Sequence, residues 1–248
     1  MSDIIPNEYT LPLRITAESG DAQGRLRLSA ILRRQQEAGD AHLTAGGLTW
    51  EALYRRGLVF VAYRWRAAVT RMPRVGECVT LTTWHRERKG PRFSRCYEWR
   101  DEDGAPLVCG VMQFALVSAA EHRLLRGTEF DVFGLPEHPD RTVPCGDPAA
   151  VRFPADAAPA GAYTVVPADI DQNGHMNNAR YADVIAAHLP AGAAVREINL
   201  HFAGECRLGD VIALRTARRD GAVLLQGAVG DRPAFTAAVT LAEVCHDI

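Results

Sequence analysis

Nowhere in these 248 residues does an uncharged apolar run approach the ~18 residues that a membrane-crossing helix needs. The start, Met1-Ser2-Asp3-Ile4-Ile5-Pro6, lacks the basic-then-apolar pattern of a leader, so a cytoplasmic protein without membrane contact is expected. An excess of one charge is missing too. With 28 basic residues against 30 acidic, a formal charge of -2 gives no global footprint of a nucleic-acid binder, and any charged partner must be met by a local patch. The six cysteines, at 78, 96, 109, 145, 206 and 245, contain no C-x-x-C pair, and the eight histidines no H-E-x-x-H. No metal, redox motif or cofactor is therefore expected, and the thiols read as reduced, mostly buried small hydrophobes. What is present is ordinary: a 47% hydrophobic and 23% charged composition suits a substantial core, in one large domain or two small ones.

One stretch departs from that background. Asp171-Gln172-Asn173-Gly174-His175-Met176-Asn177-Asn178, followed by Tyr181, packs an acid, several amides and an imidazole into eight residues. The alternation of Asp171, Asn173 and His175 predicts side chains projecting to one side of an extended or loosely coiled segment. Asn177 or Asn178 reads as the N-cap of a helix running through Ala179, Tyr181, Ala182, Val184, Ile185 and Leu189, ended by Pro190 and Gly192. A polar cluster at a helix N-terminus meets free N–H groups and a dipole that favour a polarised carbonyl oxygen. An Asx-rich turn without chemistry accounts for the acid or the amides alone, but not for the cluster with His175.

The chain also repeats itself. At an offset of 150, Asp21-Ala22-Gln23-Gly24-Arg25 lies over Asp171-Gln172-Asn173-Gly174-His175, each before a helix. The first helix is expected from Ser29 as N-cap through Ala45, stopped by Gly46 and Gly47. Val75-Gly76-Glu77 matches Leu208-Gly209-Asp210, and Gly104-Ala105-Pro106 resembles Asp231-Arg232-Pro233, turns that enter strands. Alternation at Val59, Val61, Tyr63 and Trp65, and at Val79, Leu81 and Thr83, predicts strands. Each repeat thus reads as a strand, a helix and a run of antiparallel strands, an α+β pattern whose sheet must cover the helix. The expected boundaries are 8–125 and 159–246, joined by a Pro- and Gly-rich connector, 126–158, that wraps the outside. Where the second copy has Asn173, His175 and Asn178, the first has Gln23, Arg25 and Leu28, so only the second can hold reactive chemistry.

These residues resemble the acyl-ACP thioesterases of plant chloroplasts and bacteria. The second-repeat motif of that family, Asp-x-Asn-x-His-x-Asn-Asn-x-x-Tyr, stands complete as Asp171, Asn173, His175, Asn177, Asn178 and Tyr181, and its downstream Glu-Cys pair as Glu205-Cys206. Gln36-Glu37-Ala38, Arg71-Met72-Pro73, Thr83-Trp84 and Arg95 agree in the first repeat, whereas Val75 and Val184 stand where family members usually carry a Trp or a Trp-containing helix. The resemblance implies two tandem hotdog domains, each a central helix wrapped by an antiparallel sheet. It also implies hydrolysis of fatty acyl-ACP to free fatty acid and holo-ACP in fatty acid biosynthesis, and self-association into a homodimer. Gly174-His175 is shared with single-hotdog acyl-CoA thioesterases of the 4-hydroxybenzoyl-CoA type, so CoA stays open as carrier.

Thioester hydrolysis needs an activated nucleophile, oxyanion stabilisation and an apolar slot. Glu205 or His175 is expected as general base toward water, Asn173 and N–H groups near Asn178 as polarisers of the carbonyl, and Asp171 as the group that orients them. Cys206 is either a nucleophile or a small strand residue. Asn177, Asn178 and Tyr181 are expected at the substrate, with the acyl slot along the first helix and its sheet, lined by Ile31, Leu32, Val59, Val61 and Trp65, unless these are simply core. The carrier protein, which brings the acyl chain on phosphopantetheine, is acidic. The hairpin tip with Arg86, Arg88, Lys89 and Arg92 is therefore the candidate dock. Two other readings keep the fold: an acyl-thioester hydratase or dehydratase, and a non-catalytic acyl sensor, though the few residues before Leu11 cannot form a helix-turn-helix.

Overall fold

The computed structural model describes residues 4–242, so Cys245, the expected domain end at 246 and the first three residues lie outside it. The chain divides into two compact units: the chain up to Leu26 with Arg33–Pro148, and Arg27–Leu32 with the chain from Ala149 onward. In the first unit, strand β1 (Tyr9–Arg14) precedes helix α1 (Leu28–Ala45), which belongs to this unit from Arg33 on, and helix α2 (Trp50–Tyr54). Strands β2 (Leu58–Val69), β3 (Cys78–Lys89), β4 (Arg92–Asp101) and β5 (Pro106–Ser118) follow. The second unit repeats the plan with β6 (Ala158–Thr164), α3 (Asn178–Ala186), β7 (Val195–Phe202), β8 (Val211–Arg219), β9 (Ala222–Val229) and β10 (Arg232–Leu241). Strand order is β1-β3-β4-β5-β2 in one and β6-β8-β9-β10-β7 in the other, all pairs antiparallel. The sequence repeat is therefore also a repeat of winding.

The periodicity of α1 explains its place. Leu28, Ile31, Leu32, Gln35, Ala38 and His42 are buried at helical spacing, while Arg33, Glu37 and Asp40 face water. Two glycines let backbone and helix approach closely. A Cβ on Gly110 of β5 would lie 2.8 Å from Gln35 Nε2, and one on Gly39 would lie 3.2 Å from the Tyr97 hydroxyl. Trp65 Nε1 donates to Gln35 Oε1 at 2.7 Å, fixing the helix to β2. In the second unit, Tyr181 of α3 meets Phe202 and Phe235 edge-on, each at 5.6 Å between ring centres.

Three expectations need correction. Helix α1 starts at Leu28, so Ser29 lies inside it and is not its cap. The alternation read over Val59, Val61, Tyr63 and Trp65 breaks where the pairing of β2 with β5 shifts register at Tyr63. Before that bulge Leu58 and Ala62 are buried, after it Trp65 and Ala67, so Val61 faces outward and is 39% exposed. The connector, finally, is not all exterior loop. It folds a 3-10 helix, Gly127–Phe133, and buries Phe130, Val143 and Cys145; Phe130 packs among Phe60, Phe93 and Phe133. Among the described residues no helix is long and apolar enough to cross a membrane.

Candidate active site

Residues 171–175 form a closed turn. Asp171 N–H donates to the His175 carbonyl at 2.9 Å and Gly174 N–H to the Asp171 carbonyl at 3.0 Å, with Gly174 at φ 77. Asp171 Oδ1 accepts the Asn173 N–H at 2.8 Å, the Asx bond that favours such a turn. The backbones of Asp171 and His175 pair across the base of this turn, and Asn173 sits at the exposed apex, where its Nδ2 donates to Asp171 Oδ2 at 3.5 Å. Asn177 caps α3 through Oδ1, which accepts the Ala179 N–H at 2.9 Å, while its carbonyl accepts that of Arg180. Neither bond uses the N–H of Asn178 at the helix start.

His175 and Glu205 come together across this turn. Nε2 lies 3.0 Å from Oε2, with the imidazole 26% and the carboxylate 53% exposed, so the pair is held yet open to solvent. Its spacing follows from one backbone bond, Met176 N–H to the Cys206 carbonyl at 2.8 Å, which brings the loop carrying Glu205 against the turn. Arg232 donates to the Glu205 carbonyl and approaches Asp210 Oδ2 at 3.4 Å, fixing that loop from β10.

Cys206 itself faces inward and is fully buried, with its thiol against the Tyr181 hydroxyl. Burial pushes the thiol up, more than the Tyr181 hydrogen bond and Arg232 draw it down, so the thiolate is disfavoured. Burial raises the Tyr181 hydroxyl as well, and it approaches the Gly204 carbonyl at 3.5 Å. Tyr181 therefore lies beneath the loop, between Cys206 and the Phe202 and Phe235 rings.

The remaining expected residues lie elsewhere. Ile31, Leu32 and Trp65 have no exposed surface, Val59 is half-buried and Val61 exposed. At the hairpin tip, Arg86 is buried and held by Glu87 at 2.8 Å and Asp147 at 2.7 Å, Arg88 by Asp131 at 3.0 Å, and Lys89 by Glu87 at 2.9 Å. Arg92 is exposed. The tip is thus not the free basic patch expected, because neighbouring acids, two of them from the connector, neutralise it.

Sequence reasoning passed over Asp169, Tyr163 and Arg180, which meet just ahead of the turn. Their signal was available in the repeat, since the residues 150 positions earlier are Ser19, Leu13 and Ala30.

A family model described as the acyl-ACP thioesterase N-terminal domain matches residues 6–129, and one for the C-terminal domain matches 154–229. No curated protein matches the chain. Among solved structures, the 12:0-ACP thioesterase from Umbellularia californica aligns with a TM-score of 0.83 at 18% identity, covering 96% of this chain and 98% of that one. A putative oleoyl thioesterase from Lactobacillus plantarum aligns at 0.79 and 22%, covering 98% and 100%. An acyl-ACP thioesterase from Bacteroides thetaiotaomicron aligns at 0.79 and 18%, covering 95% and 98%. Those likenesses carry the double-hotdog fold, and with both family domains matched in order, the chain belongs to the acyl-ACP thioesterase family and is a hydrolase of fatty acyl-ACP thioesters.

Proposed function

We propose that hydrolysis proceeds at the turn ahead of α3, with His175 and Glu205 as the pair that activates water. The observation that carries this reading is their 3.0 Å contact, solvent-reachable and beside a helix N-terminus. Glu205 accepts the Nε2–H, which leaves the Nδ1 lone pair to take a proton from water and the carboxylate to stabilise the imidazolium. Water then attacks the thioester carbonyl carbon. The oxyanion meets the start of α3, where the Asn178 N–H is not used by the cap. Collapse expels the pantetheine thiolate, which recovers the proton from the imidazolium, and the fatty acid and holo-ACP leave.

Asp171 shapes the turn, Asn173 and the Asn178 side chain border the incoming carbonyl and pantetheine, and Cys206 and Tyr181 are structural. The setting is free fatty acid release during biosynthesis in the cytoplasm, by a homodimer; light scattering that reads a single-chain mass removes the dimer.

The test is a free-thiol release assay over a series of acyl chain lengths on ACP and on CoA. Release from ACP is expected to exceed release from CoA and to be lost in His175→Ala. Consumption of acyl-ACP without thiol release would mean the hydratase reaction instead.

A further inference from the structure

Asp169 joins three elements around the reactive turn. Its side chain is 4% exposed. Oδ2 accepts the Tyr163 hydroxyl of β6 at 2.8 Å and the Val166 N–H at 2.9 Å, while Oδ1 faces Arg180 Nε of α3 at 3.5 Å. Its own carbonyl accepts the Asn177 N–H at 2.8 Å. The segment 170–176 therefore leaves and returns at one residue, and the cap of α3 hangs on it. Arg180 is itself held by Asp183 at 3.1 Å and the Ala168 carbonyl at 3.2 Å.

The first repeat builds the same turn without any of this. Gly20 bridges Leu26 as Ile170 bridges Met176, and a 3-10 turn precedes each. Yet Ser19 offers only a hydroxyl, 3.1 Å from that of Thr16, with Leu13 and Ala30 where Tyr163 and Arg180 stand. The turn alone does not need the trio. A buried carboxylate is expensive unless its partners repay desolvation, so its presence ahead of the turn that carries His175, and absence ahead of the turn that carries Arg25, ties it to the residues that differ between the copies.

Resting on the reading of His175 as the reacting imidazole, we propose that Asp169 is a positioning residue. Clamped by Tyr163 and Arg180, it fixes the angle at which the 171–175 turn presents His175 to Glu205 and to the thioester carbonyl. Burial, and then the bond to Asp169, push the Tyr163 hydroxyl up to about 12, so it stays a donor through the working range.

The experiment measures thiol release, circular dichroism and melting for Asp169→Asn, Tyr163→Phe, His175→Ala and the Asp169→Asn/His175→Ala double variant. Loosening the imidazole should lower kcat roughly 10- to 100-fold in Asp169→Asn with KM within about twofold, since misplacement acts on the transition state. Tyr163→Phe should follow in the same direction with a smaller loss. On the His175→Ala background, Asp169→Asn should cost nothing further. A folded Asp169→Asn with unchanged kcat, or the same loss repeated in the double variant, overturns the proposal. If Asp169→Asn does not fold, Tyr163→Phe decides: unchanged kcat per folded molecule makes the trio merely structural. Full activity in His175→Ala instead removes the underlying reading, a distinct result.

Discussion

The turns at 21–25 and 171–175 share a backbone and differ in everything that reacts. In both, an aspartate opens the turn by accepting N–H groups from within it: Asp21 from Gln23 and Arg25, each at 2.9 Å, and Asp171 from Asn173 at 2.8 Å. In both, a glycine with positive φ follows, and the residue after the turn donates across to a partner loop, Leu26 to the Pro73 carbonyl and Met176 to that of Cys206, each at 2.8 Å. The first copy then closes on itself. Arg25 pairs with Asp21 at 2.9 Å and bridges Arg74, and Val75 N–H donates to the Gly24 carbonyl. Burial alone would raise Asp21, but the Arg25 N–H and guanidinium outweigh it and hold the carboxyl below its usual range. The second copy leaves its ring pointing out to an acid on the opposite loop. The aspartate thus accepts turn N–H groups in both copies, and on the proposed mechanism the difference that matters is His175 for Arg25 and Glu205 for Met72.

Matching substitutions in the two copies give the sharpest break. His175→Ala or Glu205→Ala should lower kcat by ~10²–10⁴, the usual loss for a general base, whereas Arg25→Ala or Met72→Ala should leave thiol release within about twofold. Equal losses in both copies would dissolve the division into reactive and scaffold repeats.

Two imidazoles buried in the first unit tie its stability to pH. The first unit buries His42, whose Nε2 meets the Pro6 carbonyl at 2.7 Å and Nδ1 the Arg95 guanidinium at 2.7 Å, and His85, packed on Phe93. Burial first, then the Arg95 charge, hold them down to about 4 and about 3, against 6.5 in an open chain. Below 6.5 the unfolded chain takes up protons that the folded one refuses, so stability is complete above that pH and falls as pH drops toward 4 and 3. The slope is up to about 1.4 kcal/mol per pH unit for each histidine. Melting curves from pH 7 to 4 should show the drop, and His85→Gln should flatten it; an equal slope in that variant would place the sensitivity elsewhere.

Much of this was legible because the repeat was legible. The strand-helix-strands plan of each repeat and the cap of α3 at Asn177 or Asn178 follow from motifs whose spacing is local or duplicated, whereas the pairing of Glu205 with His175 was implied by the family resemblance alone. What was lost depended on contacts that spacing does not encode. A single extra residue at Tyr63 turned Val61 outward, and the pairing of Arg88 with Asp131 joins a hairpin tip to a connector over forty residues later. Asp169 hid for another reason: a lone acid before a turn looks like any loop aspartate until its burial and its three partners are seen.

A smaller effect is expected at Cys206. Since burial raises its thiol and its carbonyl, not its sulfur, holds the turn, Cys206→Ala should keep kcat within about threefold, the change coming through packing under Tyr181. Alkylation that tracks loss of activity in the wild type but leaves the alanine variant inert from the start would restore the nucleophile.

The smallest effect belongs to the hairpin tip, and it compares a paired cation with a free one. Lys89 is 76% exposed but sits 2.9 Å from Glu87, and Arg88 is committed to Asp131, so neither presents net positive charge to an acidic carrier. Exposed pairs of this kind contribute little and are screened by salt. Reversing both, Arg88→Glu with Lys89→Glu, should therefore raise KM for acyl-ACP by less than about twofold relative to a small thioester, a ratio in which general loss of fold cancels. The same reversal at exposed Arg92 supplies the contrast, since among the described residues no acid forms an ion pair with it. An ACP-specific rise in KM of tenfold or more from Arg88 and Lys89 would mean that the acids yield these cations to the carrier on docking, and that the connector's hold on the tip is part of recognition.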